Sequence, residues 1–289
     1  MIYIVIPVFN RWNYTKQCLI SLSKQTNVNF TVVVVDHGST DGTADFIKSD
    51  FSSVILLKGD SSMWWTAATN MGVKYAMGMA DAQFILTLNN DLIVKEDYIE
   101  SLNKASVLKP DSIIGSISLD IDQPDKIIYA GTNWNQLTAK YSIPVPINVT
   151  YSLFRLKYEF IKTDLLPGRG TLIPVEVFSR IGLFDEINFP HYVADEEFVL
   201  RARRNGFGVY VYARAFVLSH VALTGLNSQS LNKKNKFNHL IDVLTSIRSS
   251  SNLDVRWKWA KNTKFPLIHF GIDMMRLFAS KMLKSIEGK

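Results

Sequence analysis

Short apolar runs and longer stretches of helical spacing alternate along the first ninety residues. "YIVIPV" (3–8) opens the series. "NYTKQCLISLSKQ" (13–25) follows, with Cys18, Leu19 and Leu22 on one side, and then "TVVVVD" (31–36), a β-branched run of the kind buried on both faces. "VILLK" (54–58), the helical stretch "WWTAATNMGVKYAMGMA" (64–80) and "FILTL" (84–88) repeat the pattern, and "VYVYARAFVLS" (209–219) reads as a further strand. This alternation predicts an α/β fold whose mostly parallel sheet is flanked by helices on both faces. There is neither an internal repeat nor a low-complexity linker.

In such sheets ligands bind beyond the carboxyl ends of the strands, so the chemistry is sought there. Pro7, Val8, Phe9 and Asn10 follow the first strand without the G-x-G-x-x-G of a dinucleotide fold, which argues against hydride transfer. The second strand ends in Asp36 and runs into "HGSTDGT", with Ser39 and Asp41. This is turn and cap chemistry, and equally a place for a carboxylate that accepts from a ribose or a base. The fourth strand ends in Asn89, Asn90 and Asp91. These residues make a good turn, and their carboxylate could also hold Mg²⁺ or Mn²⁺ through one or two oxygens beside a substrate diphosphate. Adjacent helical residues point about 100° apart, so Trp64 and Trp65 cannot share one core stripe, and one of them is expected to face the crevice.

The order "VIPVFN", "VVDHGSTDGT", "TNMGVKYA", "LTLNND" resembles the donor half of the family 2 glycosyltransferases, which have the GT-A fold. "LPGRGTLIPVEVFSRIGLFDEINFPHYVADEEFVLRARRNGF" is similar to the acceptor half of that family, so the resemblance covers residues 1 to about 220. It implies an inverting transfer of sugar from a nucleotide-diphosphate donor, a dTDP- or UDP-sugar with dTDP-rhamnose among them. The acceptor would be a hydroxyl of a cell-surface glycan or lipid-linked glycan. Pro7, Phe9, Asn10, Asp36, Ser39, Asp41, Trp65, Asn70, Asn89, Asn90 and Asp91 then fall in the donor site, with Asn70 and Gly72 matching an Asn-X-Gly motif. The usual Asp-X-Asp triplet is here Asn-Asn-Asp, as in bacterial members resembling rhamnosyltransferases, so Asp91 alone matches as a carboxylate ligand of a divalent Mg or Mn ion. His220 is a second metal candidate, although a lone histidine after a strand also serves as a structural hydrogen-bond former.

"ADEEFVLRARR" sets Asp195, Glu196 and Glu197 at a helix N-terminus, where acidic residues favour the helix dipole in any protein. The resemblance places the catalytic base at Asp195, with Glu196 one register step away. Gly168, Arg169 and Gly170 form a compact loop, either a strand-entry turn or an acceptor-binding element in which Arg169 meets a phosphate or hydroxyl.

Composition narrows the setting. The chain has 289 residues, 47% of them hydrophobic, and can bury a large core. Cys18 is its one cysteine, which excludes an internal disulfide framework and fits a reducing compartment. The N-terminus enters a strand directly and predicts no secretory leader, and no uninterrupted apolar run is long enough to span a bilayer. Net charge is +6, but residues 232–289 hold 12 Lys or Arg against 4 Asp or Glu, a net +8, which leaves −2 for the rest. The expected layout is a GT-A domain over 1–231, its donor half to about 120 and its acceptor half over 121–231. A basic, aromatic helical extension over 232–289 completes it. Trp257, Trp259, Phe265, Phe270 and Phe278 interleave with cations there, a pattern for an anionic membrane surface, for packing on the domain, or for single-stranded nucleic acid. The rest of the chain is not basic, so no nucleic-acid partner is expected. The predicted location is cytoplasmic, peripheral at the inner membrane face. A sugar-binding module without turnover and a membrane-surface interaction protein are the rival classes.

Overall fold

The computed structural model describes residues 1–220, 244–247, 249 and 251–287, with side chains to residue 280. Its first half runs β1 (Ile2–Val8), α1 (Trp12–Ser23), β2 (Phe30–Asp36), α2 (Thr43–Asp50), β3 (Ile55–Lys58), α3 (Trp65–Met77) and β4 (Phe84–Thr87). Every residue of β1 is buried, and its alternation divides the core in two. Tyr3 and Val5 face α3, whose Val73 and Ala76 pack beneath them. Ile2, Ile4, Ile6 and Val8 face Cys18, Leu19 and Leu22 of α1 and Ile47 of α2. Gly72 is what lets α3 lie so close, because a Cβ there would stand 2.4 Å from Val5 Cγ1.

The second half comprises β5 (Leu92–Val94), α4 (Tyr98–Leu108), β6 (Ser112–Asp120), β7 (Ile127–Tyr129), the hairpin β8 (Asn133–Asn135) and β9 (Lys140–Ser142), α5 (Tyr151–Lys157) and β10 (Phe160–Lys162). It continues through β11 (Thr171–Pro174), α6 (Val175–Ile181), α7 (Ala194–Arg204) and β12 (Gly208–Ser219). The main sheet has the order β10-β12-β6-β11-β4-β1-β2-β3, with β5 on β12 and β7 on β6. The pairs among β3, β2, β1 and β4 are parallel, as is β6 with β12, whereas β11 runs antiparallel to both its neighbours. The mostly parallel sheet expected from the sequence is present, with antiparallel strands inserted in its second half.

The chain moves outward from β1 to β3 and returns on the other side of β1 as β4. That reversal opens a crevice at the carboxyl ends of β1 and β4. Pro7 suits its position: Leu88 N–H bonds to Val5 C=O on the β4 side, and two residues later, where β4 has ended, no ladder donor is required.

The expected boundary at 231/232 lies outside the described residues. Beyond it, α8 (Leu253–Ala260) and α9 (Pro266–Glu287) pack on the domain. Val255 and Trp259 of α8 join Trp134, Leu165, Phe189, Ala194 and Leu200 in one buried cluster. The Trp134 and Trp259 rings lie 4.6 Å apart, and such pairs contribute about 0.5–1.5 kcal/mol beyond their buried area. From α9, His269 Nδ1–H donates to Gln136 C=O at 2.7 Å and Arg276 Nε–H to Thr138 C=O at 2.9 Å, fixing the β8–β9 hairpin. Of the readings open for this segment, packing is thus realised on one face. The other face of α9 exposes Leu267, Ile268, Met275 and Phe278.

Candidate active site

The β2 end is organised by its own loop. Asp36 Oδ1 accepts from Gly38 N–H (3.2 Å) and Ser39 N–H (2.8 Å), and Oδ2 has no partner among the described residues. Asn10 and Arg11 both take left-handed backbone (φ 58° and 63°), turning the chain sharply after β1. Asn10 N–H donates to Ser39 Oγ at 2.7 Å, and Thr40 N–H donates to Asn10 Oδ1 at 2.8 Å. Asp41 accepts from Trp12 N–H and from both Thr43 N–H and Thr43 Oγ–H, which joins the starts of α1 and α2. Asn10, Ser39 and Asp41 therefore shape the crevice wall and are largely occupied, while Asp36 keeps one oxygen free. Phe9 is exposed and stacks on His37 (centroids 5.3 Å, 24°), and burial holds the His37 imidazole below its usual pKa. Nothing in the sequence marked His37 beyond its place in that loop.

At the β4 end the two amides are tied inward. Asn90 Nδ2–H donates to Thr15 Oγ1 at 2.9 Å, and Asn89 Oδ1 accepts from Trp65 Nε1–H at 3.2 Å. Asp91 is half-buried, and its carboxylate has no hydrogen bond or ion pair among the described residues. His220 lies beyond β12, its ring edge-on to Tyr14 at 5.0 Å. Among the described residues no three His, Cys, Asp or Glu side chains assemble as a metal cage. One unpaired carboxylate at a strand end does fit a hard cation that takes its remaining ligands from water and a diphosphate.

Asn70 departs from the expected donor contact. It is 1% exposed, its Nδ2 donates to Phe184 C=O (2.9 Å) and Glu186 Oε2 (2.7 Å), and its Oδ1 accepts from Phe184 N–H (3.1 Å). Both ends of the amide are consumed in holding the Phe-Asp-Glu turn to α3, so Asn70 acts as a structural tie in this conformation. The Asn-X-Gly pattern arises from that tie together with the close packing of Gly72.

Trp65 connects the halves. Its indole N–H reaches Asn89, and its benzo edge lies on Gly168, where an added Cβ would stand 2.4 Å from Cζ2 and Cη2. Gly168 N–H in turn donates to Asp195 Oδ2 at 2.6 Å, and Asp195 Oδ1 accepts from Glu196 N–H at 3.0 Å. Among the described residues Arg169 makes no ion pair and its buried Nε–H has no partner, and its charge acts on Asp195. Gly170, at φ 76°, packs under the Tyr98 hydroxyl and returns the chain to β4 through its N–H to Thr87 C=O.

The acidic triplet splits by environment. Glu197 is buried and paired with Arg201 at 3.0 Å, whose guanidinium also donates to Leu183 C=O, so this pair is architectural. Asp195 is raised above the ordinary aspartate range by burial, an effect opposed first by the Gly168 N–H. Glu196 is pushed up to about 8 by burial and then by the Asp195 charge, and its carboxyl group has no hydrogen-bond partner among the described residues. Just before them Val193, a β-branched residue, sits at φ 73°. Backbone of that kind persists where the surroundings impose it, and it clusters at functional sites.

The parallel strands β3-β2-β1-β4 with polar residues at their ends, joined through Asn89, Trp65 and Gly168 to Asp195 at the start of α7, make up a GT-A fold. The chain belongs to glycosyl transferase family 2, whose profile matches residues 3–182. Among curated relatives, GlyG of Streptococcus pneumoniae is 29% identical over 133 residues, 45% of this chain and 42% of that protein. The dTDP-rhamnosyl transferase RfbF of Shigella flexneri is 26% identical over 210 residues, 73% of this chain and 66% of RfbF. The match thus spans less than half of GlyG. Two solved structures share the fold: GalNAc-T7 with UDP, GalNAc and Mn²⁺ (TM-score 0.63, 13% identity, 91% of this chain, 51% of that one) and S. aureus TarS in complex with UDP-GlcNAc (0.56, 15%, 91% and 67%).

Proposed function

We propose that this protein is an inverting glycosyltransferase in which Asp195 takes the proton of the acceptor hydroxyl. The oxygen then bonds to the anomeric carbon of a nucleotide-diphosphate sugar. The bond from that carbon to the diphosphate breaks on the opposite face, and the leaving group departs with the electron pair. One observation carries this reading: Asp195 is oriented by Gly168 N–H on the same glycine loop that Trp65 ties to Asn89, so the base and the donor strand end form one rigid assembly. Burial raises its basicity above that of an ordinary aspartate, the direction that favours proton abstraction.

Asp91 would hold a divalent Mg or Mn ion against the donor diphosphate, and that ion, when bound, would supply charge stabilisation for the leaving group. Arg169, in the glycine loop and acting on Asp195, would meet an acceptor hydroxyl or phosphate beside the base. The free Oδ2 of Asp36 is the acceptor for a ribose or base donor group. The likeness to RfbF, a dTDP-rhamnosyl transferase, supports a dTDP-sugar donor, and the likeness to TarS bound to UDP-GlcNAc a UDP-sugar. The acceptor in this reading is a hydroxyl of a surface or lipid-linked glycan. No helix among the described residues is long and apolar enough to cross a membrane. The exposed Leu267, Ile268, Met275 and Phe278, flanked by Lys261 and Lys264, support peripheral contact with an anionic membrane.

A panel of dTDP- and UDP-sugars tests this reading. At least one should be hydrolysed slowly without acceptor, and its binding should depend on Mg²⁺ or Mn²⁺. Binding without hydrolysis, with every cation, would count against catalysis and for a silent module, and binding of none would count against the nucleotide-sugar reading itself.

A further inference from the structure

Between the first turn of α7 and the pair α8 and α9 lies a cavity of about 290 Å³. It is lined by Asp195, Glu196, Tyr141, Tyr192, Arg256, Trp259 and Asp273. This is the space of about ten water molecules, enough for one pyranose ring. We propose that the C-terminal helices complete the acceptor site here, and that the cavity binds a sugar unit carrying no acidic group, recognised by Arg256, Trp259 and Asp273. The inference rests on Asp195 as base, because it places the reacting sugar against that carboxylate.

The polar inventory suits hydroxyls and little else. Arg256 Nη1 is taken up by both oxygens of Asp273 (2.8 and 2.7 Å), but its buried Nε–H has no partner among the described residues. The Trp259 indole N–H lies toward the Tyr141 hydroxyl without closing a bond of ordinary geometry. Buried donors of this kind are normally satisfied, so two unsatisfied ones around one cavity point to an oxygen that arrives with a ligand. Glu196 offers acceptor atoms on the opposite wall. A sugar hydroxyl accepts from the first group and donates to the second, while tyrosine and tryptophan rings supply faces for its C–H groups. An anion meets the Asp195 and Asp273 carboxylates and one guanidinium that is already paired with the latter, a net negative lining that repels it. An apolar ligand would leave all of these groups unpaired.

Saturation-transfer NMR on the full chain, using methyl rhamnoside, methyl glucoside and methyl glucuronide as probes, tests the assignment. The neutral glycosides should receive saturation and the glucuronide should bind at least tenfold more weakly. Trp259→Phe and Arg256→Lys, which remove one N–H while keeping the ring or the charge, should each weaken neutral glycosides by about fivefold, the worth of one net hydrogen bond. UDP and dTDP titrations on the same samples report that the variants are folded. Equal or tighter glucuronide binding, or unchanged glycoside binding in both folded variants, overturns the proposal. The two readings separate cleanly. Loss of transfer in Asp195→Asn with glycoside binding unaffected by Trp259→Phe and Arg256→Lys removes the subsite and keeps the base. Weakened glycoside binding in those variants with full transfer in Asp195→Asn keeps the cavity's ligand and removes the base.

Discussion

Gly168→Ala should disable the enzyme through sterics alone. Gly168 has no left-handed backbone requirement, so alanine adds only a methyl group, and that methyl arrives 2.4 Å from two ring carbons of Trp65. Ordinary contact begins about 1 Å further out. The ring cannot yield freely, because its N–H is bonded to Asn89 and its face meets the edge of Phe184 at 5.8 Å. Either Trp65 moves and releases Asn89, or the loop moves and withdraws its N–H from Asp195. Overpacking of this kind costs about 1–3 kcal/mol, which for a chain of this size lowers Tm by roughly 2–10 °C. A displacement of about 1 Å at the reacting groups lowers kcat by roughly a hundredfold. Calorimetry gives the first quantity, and steady-state transfer well below the new Tm gives the second. Wild-type Tm together with wild-type kcat would refute the bridge from Asn89 through Trp65 and Gly168 to Asp195.

Glu196 keeps its proton in the folded state up to about pH 8, while the unfolded chain releases it above about 4.5, so its contribution to stability falls as pH rises through that window. Glu196→Gln should flatten the decline of Tm between pH 5 and 8, and an unchanged slope would contradict the burial of this carboxyl. Asn70→Ala strands the buried Phe184 N–H and C=O and should cost about 1–3 kcal/mol in denaturant titrations, with nucleotide affinity retained at low temperature. Selective loss of nucleotide binding at unchanged stability would restore Asn70 to the donor site. Replacing Leu267 and Met275 by Gln should reduce sedimentation with anionic liposomes at low salt without lowering Tm. Equal sedimentation would remove α9 as the membrane contact.

The donor half was legible because its strands are short, β-branched and buried on both faces, and because its polar residues collect where those strands end. The elements between Leu92 and Lys162 were not. β5, β7 and β10 are three residues each, too short for a period to emerge, and β6 mixes Ser112, Ser116 and Ser118 into a strand buried throughout. Asn70 shows the limit of a motif: its position matched, but its partners at Phe184 and Glu186 lie more than a hundred residues away and leave no local trace. Arg256 and Asp273 carried no signal as site residues either, since a basic, aromatic segment reads the same whether its cations face lipid or close a cavity. Helical geometry predicts only that one of Trp64 and Trp65 faces the crevice; Trp64 is the extended residue before α3, and Trp65 is the one bonded to the β4 end.

The central claim is that Asp195 removes the acceptor proton. With a donor that binds and an acceptor that is glycosylated, single-turnover transfer by Asp195→Asn measures it directly, alongside donor affinity under the same conditions. The amide keeps the size of the side chain and an oxygen for the Gly168 N–H but cannot accept a proton, so transfer should fall by roughly two to four orders of magnitude while donor affinity stays within about twofold. Transfer within a few-fold of wild type, or loss confined to Glu196→Gln, would contradict the assignment.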